Sequence, residues 1–128
     1  MAETDLYATG MRLRRQVLGD EYVDKAMASA DEFSADFQKL VTEFCWGATW
    51  GRGGLSLGQR SLNNLCLLAA LNRAQEFEIH LRGALRNGCT RDEIKETLLQ
   101  IAVYAGIPAG VEAFRIARKV LAEVDKAP

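Results

Sequence analysis

At 128 residues the chain has the length of one domain, long enough to bury a core of its own and short enough to gain from self-association. Hydrophobic residues make up 48% and charged residues 26%, an ordinary globular balance that excludes a disordered chain. Sixteen basic and seventeen acidic residues are interspersed to a net charge of −1, so there is no polyanion-binding signature and nucleic acid is excluded as the main partner.

The opening Met1-Ala2-Glu3-Thr4-Asp5 is acidic and lacks an apolar run of signal-peptide length. No stretch approaches the roughly 18 apolar residues of a membrane span, so a cytoplasmic protein with no membrane partner is expected. Arg12-Leu13-Arg14-Arg15 places three arginines in four positions, which reads as a solvated surface segment or a donor of intersubunit ion pairs, with contact to an anionic ligand as the less frequent case. Periodicity then predicts helices over Tyr22 to Ala30 and Phe33 to about Cys45, the second with Phe33, Phe37, Leu40, Val41 and Phe44 on its inner face.

Between Gly47 and Gly58 lie five of the eleven glycines, with Trp50 and Arg52 among them and Trp46 at the edge. Such a loop fits two descriptions: a surface connection whose tryptophans tuck into the core, or a wall and anion clamp around a ligand. Ser56-Leu57-Gly58-Gln59 is a candidate capping box that opens a helix carrying Leu62, Leu65, Cys66, Leu68 and Ala69. After a tight bend near Asn72 comes the helix with His80, closed by Asn87-Gly88.

Thr90-Arg91-Asp92-Glu93 is the clearest helix start, a capping box followed by the stripe Ile94, Leu98, Ile101, Ala102 and Ala105. Gly106 ends that helix. Pro108 suits the first turn of a last helix, running to about Asp125, with Val111, Phe114, Ala117, Val120, Leu121 and Val124 at helical spacing. No run alternates with period two, so the expectation is all-α: a compact single-domain bundle of about six helices over residues 1–128, its core spanning about 10–124. Cys45, Cys66 and Cys89 are too few and too far apart for a disulfide framework or a Cys-x-x-Cys motif, and read as small buried apolar residues.

His80 is the chain's one histidine, and Glu76 precedes it by one helical turn on the same face. An imidazole exchanges protons near neutral pH, and a carboxylate one turn away can orient it and raise its basicity. Taken by itself, such a pair is more often a satisfied packing contact than a catalytic one.

Five segments in order carry a likeness: Met11-Arg12 with Arg15-Gln16-Val17-Leu18-Gly19, Phe37-Gln38 through Cys45-Trp46-Gly47-Ala48-Thr49-Trp50-Gly51-Arg52, Gln59-Arg60-Ser61 through Leu68-Ala69-Ala70-Leu71, Glu76 to His80, and Tyr104-Ala105-Gly106-Ile107-Pro108-Ala109. Together they resemble the γ-carboxymuconolactone decarboxylase family, over about residues 10–124. The resemblance implies an alkylhydroperoxidase D-like helical fold, a homo-oligomer (trimer or hexamer), no cofactor and no metal, and a step of protocatechuate breakdown through the β-ketoadipate pathway. A peroxidase branch of that superfamily carries Cys-x-x-Cys-x-x-x-His, where this chain has Arg73, Glu76 and His80. Thiol exchange at those positions is therefore chemically impossible.

The implied substrate is an unsaturated γ-lactone bearing two carboxylates, which contains its own electron sink. Its decarboxylation needs a cation for the acetate arm, a donor at the lactone oxygen and an acid for the ring carbon. The implied assignments are His80 as acid, with Glu76 as its partner or as the donor itself. Arg52 and Arg60 are the carboxylate clamps, with intersubunit salt bridges as the competing reading. Arg73 lines the pocket, Trp46 and Trp50 shield it from water, and Tyr104 either donates to the lactone oxygen or packs. Beside the decarboxylase stand two alternatives: a peroxidase-like antioxidant, disfavoured by the missing thiols, and a catalytically silent oligomeric module that binds a small acid.

Overall fold

Thr90 and Glu93 cap each other as their spacing predicts: Thr90 Oγ1 accepts from the Glu93 backbone N–H at 3.0 Å, and Glu93 Oε1 accepts from the Thr90 N–H at 2.8 Å. They open one of the helices of a computed structural model that describes residues 5–127. In order these are α1 Asp5–Leu18, α2 Asp20–Ala28, α3 Ala35–Leu40 with a π-helical continuation Val41–Thr49, α4 Leu57–Ala70, α5 Ala74–Arg86, α6 Arg91–Tyr104 and α7 Ile107–Lys126. No strand occurs among the described residues, and the class is all-α. The expectation drawn from Met1-Ala2-Glu3-Thr4, that no leader is present, lies outside the described residues. Packing divides the chain into two compact units, Met1–Ser56 and Leu57–Pro128.

In the first unit α1 packs along the π segment. Glycine makes that approach possible. A Cβ on Gly10 would sit 1.9 Å from the Thr42 carbonyl oxygen, and one on Gly47 would sit 2.2 Å from that of Leu6. Helix α1 adds to the six helices that periodicity predicts, and at Arg14 it corrects the reading of the arginine run as a solvated segment or a donor of intersubunit ion pairs. Arg14 is only 5% exposed, with Nη1 3.3 Å from Thr42 Oγ1, because Leu13, Arg14, Val17 and Leu18 share the packed face. Burial draws its guanidinium below the usual pKa. Arg15 stays at the surface, paired with Asp20 at 3.1 Å and Asp24 at 2.8 Å.

The aromatic stripe is a second correction. Phe33, Phe37, Leu40 and Phe44 are exposed, Phe33 at 96%, while Thr42, Trp46 and Trp50 are buried. The helix does not end near Cys45 but widens into the π turn, where Trp50 N–H reaches the Cys45 carbonyl at 3.1 Å, five residues back. Helix α1 packs on the face that carries Thr42, Trp46 and Trp50, and the phenylalanines lie on the opposite side.

The second unit closes on one core: Leu65 of α4; Phe77, Leu81 and Ala84 of α5; Cys89; Ile94, Leu98 and Ile101 of α6; and Ala113, Ile116, Ala117 and Val120 of α7. Two left-handed residues end α4 and α5. Asn72, at φ 63, lets Arg73 N–H reach back to the Leu68 carbonyl at 2.8 Å, and Gly88, at φ 86, lets Cys89 N–H reach that of Ala84 at 3.0 Å. So tight a bend sends α5 back along α4. Ala102 and Gly110 bring α6 and α7 close, since a Cβ on Gly110 would meet the Ala102 methyl at 2.5 Å. The predicted inner stripe of α7 holds at Ala117 and Val120, but Val111 and Val124 are exposed. Ala105, expected on the α6 stripe, is exposed beyond the helix end. Of the cysteines, Cys89 is buried, whereas Cys45 and Cys66 are half-buried.

Candidate active site

Three anchors set the register of α4 against α5. The Asn72 bend fixes one end, and a clasp fixes the other, where Asn87 Nδ2 donates to Ser61 Oγ at 2.9 Å and the Cys89 thiol donates to the Gly58 carbonyl at 3.4 Å. Ser61 is fully buried, so its hydroxyl depends on that partner. Between the anchors His80 of α5 stands opposite Asn64 of α4, with His80 Nδ1 3.4 Å from Asn64 Nδ2.

His80 is half-buried, and the loss of hydration penalises its charged form and pushes the imidazole pKa below the usual 6.5. The Glu76 carboxylate, one turn earlier, pulls the other way. Burial wins, and the neutral ring is favoured at neutral pH. Glu76 itself is exposed, so it acts on His80 from the solvent side of α5.

The other residues singled out by sequence are placed as follows. Arg60 is half-buried in the first turns of α4, one turn before Asn64 and on the same stripe. Arg73 is the N-cap residue of α5, two turns before His80, and lines a cavity of about 260 Å³ together with Leu68, Phe77, Pro108, Ala109 and Glu112. His80 and Glu76 are not among the residues that line it. Tyr104 ends α6 at 85% exposure. In the first unit Arg52 is exposed just past the π segment, and Trp46 stacks on Trp50 with ring centroids 4.7 Å apart.

Asn64 is the residue that sequence reasoning missed. A signal was available: Arg60 and Asn64 repeat on α4 the four-residue step of Glu76 and His80 on α5, and Asn64 is polar in an otherwise apolar stretch. The thiols offer no comparable centre. Burial pushes Cys45, Cys66 and Cys89 above the usual thiol pKa, which suppresses the thiolate that redox chemistry requires.

Residues 35–119 match the model of the carboxymuconolactone decarboxylase family. The chain belongs to that family. It is 38% identical to the 4-carboxymuconolactone decarboxylase of Acinetobacter baylyi over 128 residues, covering 100% of this chain and 96% of the relative. It is 42% identical to the nitrosuccinic acid decarboxylase npaB of Metarhizium robertsii over 122 residues, covering 94% of this chain and 85% of the relative. A Pseudomonas putida sequence named 4-carboxymuconolactone decarboxylase matches at 38% over 47 residues, 37% of this chain and 98% of that one. Both longer relatives are decarboxylases by name, and with the family match they make this chain a carboxy-lyase. Among the described residues no helix is long and apolar enough to cross a membrane.

Proposed function

We propose that the chain decarboxylates γ-carboxymuconolactone to β-ketoadipate enol-lactone, without a cofactor, as a cytoplasmic homo-oligomer in protocatechuate degradation. The ring carboxylate leaves as carbon dioxide. Its bonding electron pair moves through the ring double bond toward the lactone carbonyl, and one proton is taken up at the ring carbon α to that carbonyl. The substrate is its own electron sink, so the protein's task is to hold carboxylates, receive charge on oxygen and deliver a proton.

The observation that carries this reading is the His80–Glu76 pair on α5, with Arg73 and Glu76 standing where a peroxidase would need thiols. The pair supplies the proton and the hydrogen-bond donor. Arg52 and Arg60 are assigned to the substrate's carboxylates, Arg73 to a further substrate contact, Trp46 and Trp50 to exclusion of water, and Tyr104 to a contact with the lactone.

The similarity to a nitrosuccinic acid decarboxylase supports a second reading on the same chemistry, because nitrosuccinic acid is also a dicarboxylate whose electron-accepting group ends in oxygen. A spectrophotometric assay of purified protein against both compounds decides between them. Lactone loss with carbon dioxide release is the expected result. Turnover of nitrosuccinate alone transfers the assignment to that substrate, and turnover of neither overturns the enzymatic reading.

A further inference from the structure

We infer that Asn64 is a positioning residue for His80: its amide donates to Nδ1, holds the neutral ring as the Nε2–H tautomer, and so makes Nε2–H the donor to the oxygen on which charge collects as carbon dioxide leaves. The inference rests on the proposed reaction for its catalytic half and on geometry alone for its tautomeric half.

An amide nitrogen carries two hydrogens and no available lone pair. Facing Asn64 Nδ2 at 3.4 Å, His80 Nδ1 must be the ring nitrogen that accepts, and the ring hydrogen then lies on Nε2. The opposite amide orientation would present Oδ1 and demand hydrogen on Nδ1. The ring tautomer therefore reports which way Asn64 points. The separation is at the long end for a hydrogen bond, as catalytic contacts often are before substrate binds. The second nitrogen of a histidine commonly fixes the role of the first in this way.

The surroundings favour the neutral ring. Among the charged groups of α5, the Glu76 carboxylate favours protonation of His80, and burial outweighs it. Glu78 is held by Lys119 of α7 at 3.0 Å and by Arg82 at 3.1 Å, and Arg82 also pairs with Glu123 of α7. On α4, Arg60 lies one turn from Asn64 and adds positive charge to that face.

The assignment divides the work of the pair. A neutral imidazole is a poor proton donor to carbon but a good hydrogen-bond donor to a forming enolate oxygen, where it needs no reorganisation as charge arrives. The proton that the ring carbon takes up is relayed from solvent through the exposed Glu76 carboxylate. The carboxylate takes a proton from hydronium and gives it up as the C–H bond forms, leaving water and the carboxylate, so one proton is consumed per carbon dioxide.

Because His80 is the chain's one histidine, a long-range proton–nitrogen correlation spectrum of histidine-labelled protein reads its tautomer without assignment and without activity. The expected result is hydrogen on Nε2 in wild type and inversion to hydrogen on Nδ1 in Asn64→Asp, whose carboxylate only accepts. The inverted variant should keep its KM within about threefold and lose about 10²–10³-fold in kcat, the usual cost of one lost oxyanion donor. Asn64→Gln, which restores an amide donor, should recover part of that loss. Hydrogen on Nδ1 in wild type, or inversion in Asn64→Asp without loss of kcat, overturns the inference. Should Asn64→Asp fail to fold, Asn64→Leu replaces it, with a mixed tautomer and reduced kcat expected, and an unchanged tautomer overturning. A wild type that shows the Nε2–H tautomer but turns over neither substrate sinks the proposed reaction and leaves the role of Asn64 in setting the tautomer standing.

Discussion

Asn87 Nδ2 donates to Ser61 Oγ at 2.9 Å, joining the end of α5 to the start of α4 on the side of His80 away from the Asn72 bend. Ser61 is fully buried, so Ser61→Ala deprives the Asn87 amide of its shortest partner. The expected loss is about 1–3 kcal/mol in unfolding free energy. Chemical denaturation measures it. Because the same clasp sets how α4 lies along α5, kcat should also fall below wild type in the folded variant; unchanged kinetics would mean that the bend and the Cys89–Gly58 contact hold the Asn64–His80 register without Ser61.

His80→Ala should lower kcat by about 10²–10⁴-fold, the range for removal of a positioned proton-transfer or donor group, since the chain has no second histidine to take its place. Circular dichroism should show the helices intact, because the side chain is half-buried beside the core and not within it. Near-wild-type turnover in this variant would return His80 to a packing role.

The pH dependence of stability follows from the same residue. Burial places the folded-state pKa of His80 below the unfolded value of 6.5, so between the two the unfolded chain binds more protons. The contribution of the neutral ring is fully present above about pH 6.5 and is lost as pH falls toward the folded pKa. Melting temperature should therefore drop on acidification across that window in wild type. In His80→Gln, which cannot titrate, the drop should be smaller.

Arg52 and Arg60 are separable by kinetics. If Arg52 binds a carboxylate that stays on the substrate, Arg52→Lys should raise KM with kcat nearly constant, because lysine keeps the charge and loses the two-pronged grip. Arg60→Lys should lower kcat if its contact strengthens as the leaving carboxylate's charge delocalises. Analytical ultracentrifugation run beside the kinetics distinguishes loss of assembly from loss of substrate contact. Unchanged kinetics in an intact oligomer for both variants would remove the two arginines from the site.

What the sequence determined was whatever depends on neighbours three or four residues away. The Thr90–Glu93 capping box, the Gly88 helix stop, the bend at Asn72, and the sharing of one α5 face by Glu76 and His80 all follow from backbone geometry over a single turn. Local rules also set the class, since no segment alternates as a strand would. Tertiary structure decided the rest. The packing of α1 along the Val41–Thr49 segment buried the face of Thr42, Trp46 and Trp50 and left the opposite face, with Phe37 and Phe44, outward, a choice between two faces that only the partner helix makes. Arg14 is buried because two glycines let α1 lie against that segment, an approach that no charge pattern announces. Asn64 meets His80 across sixteen positions, through a register fixed by a left-handed asparagine at one end and a buried serine at the other. Side-chain pairing between helices depends on how they lie against each other, and that is decided by packing as the chain folds rather than by the order of residues along either helix.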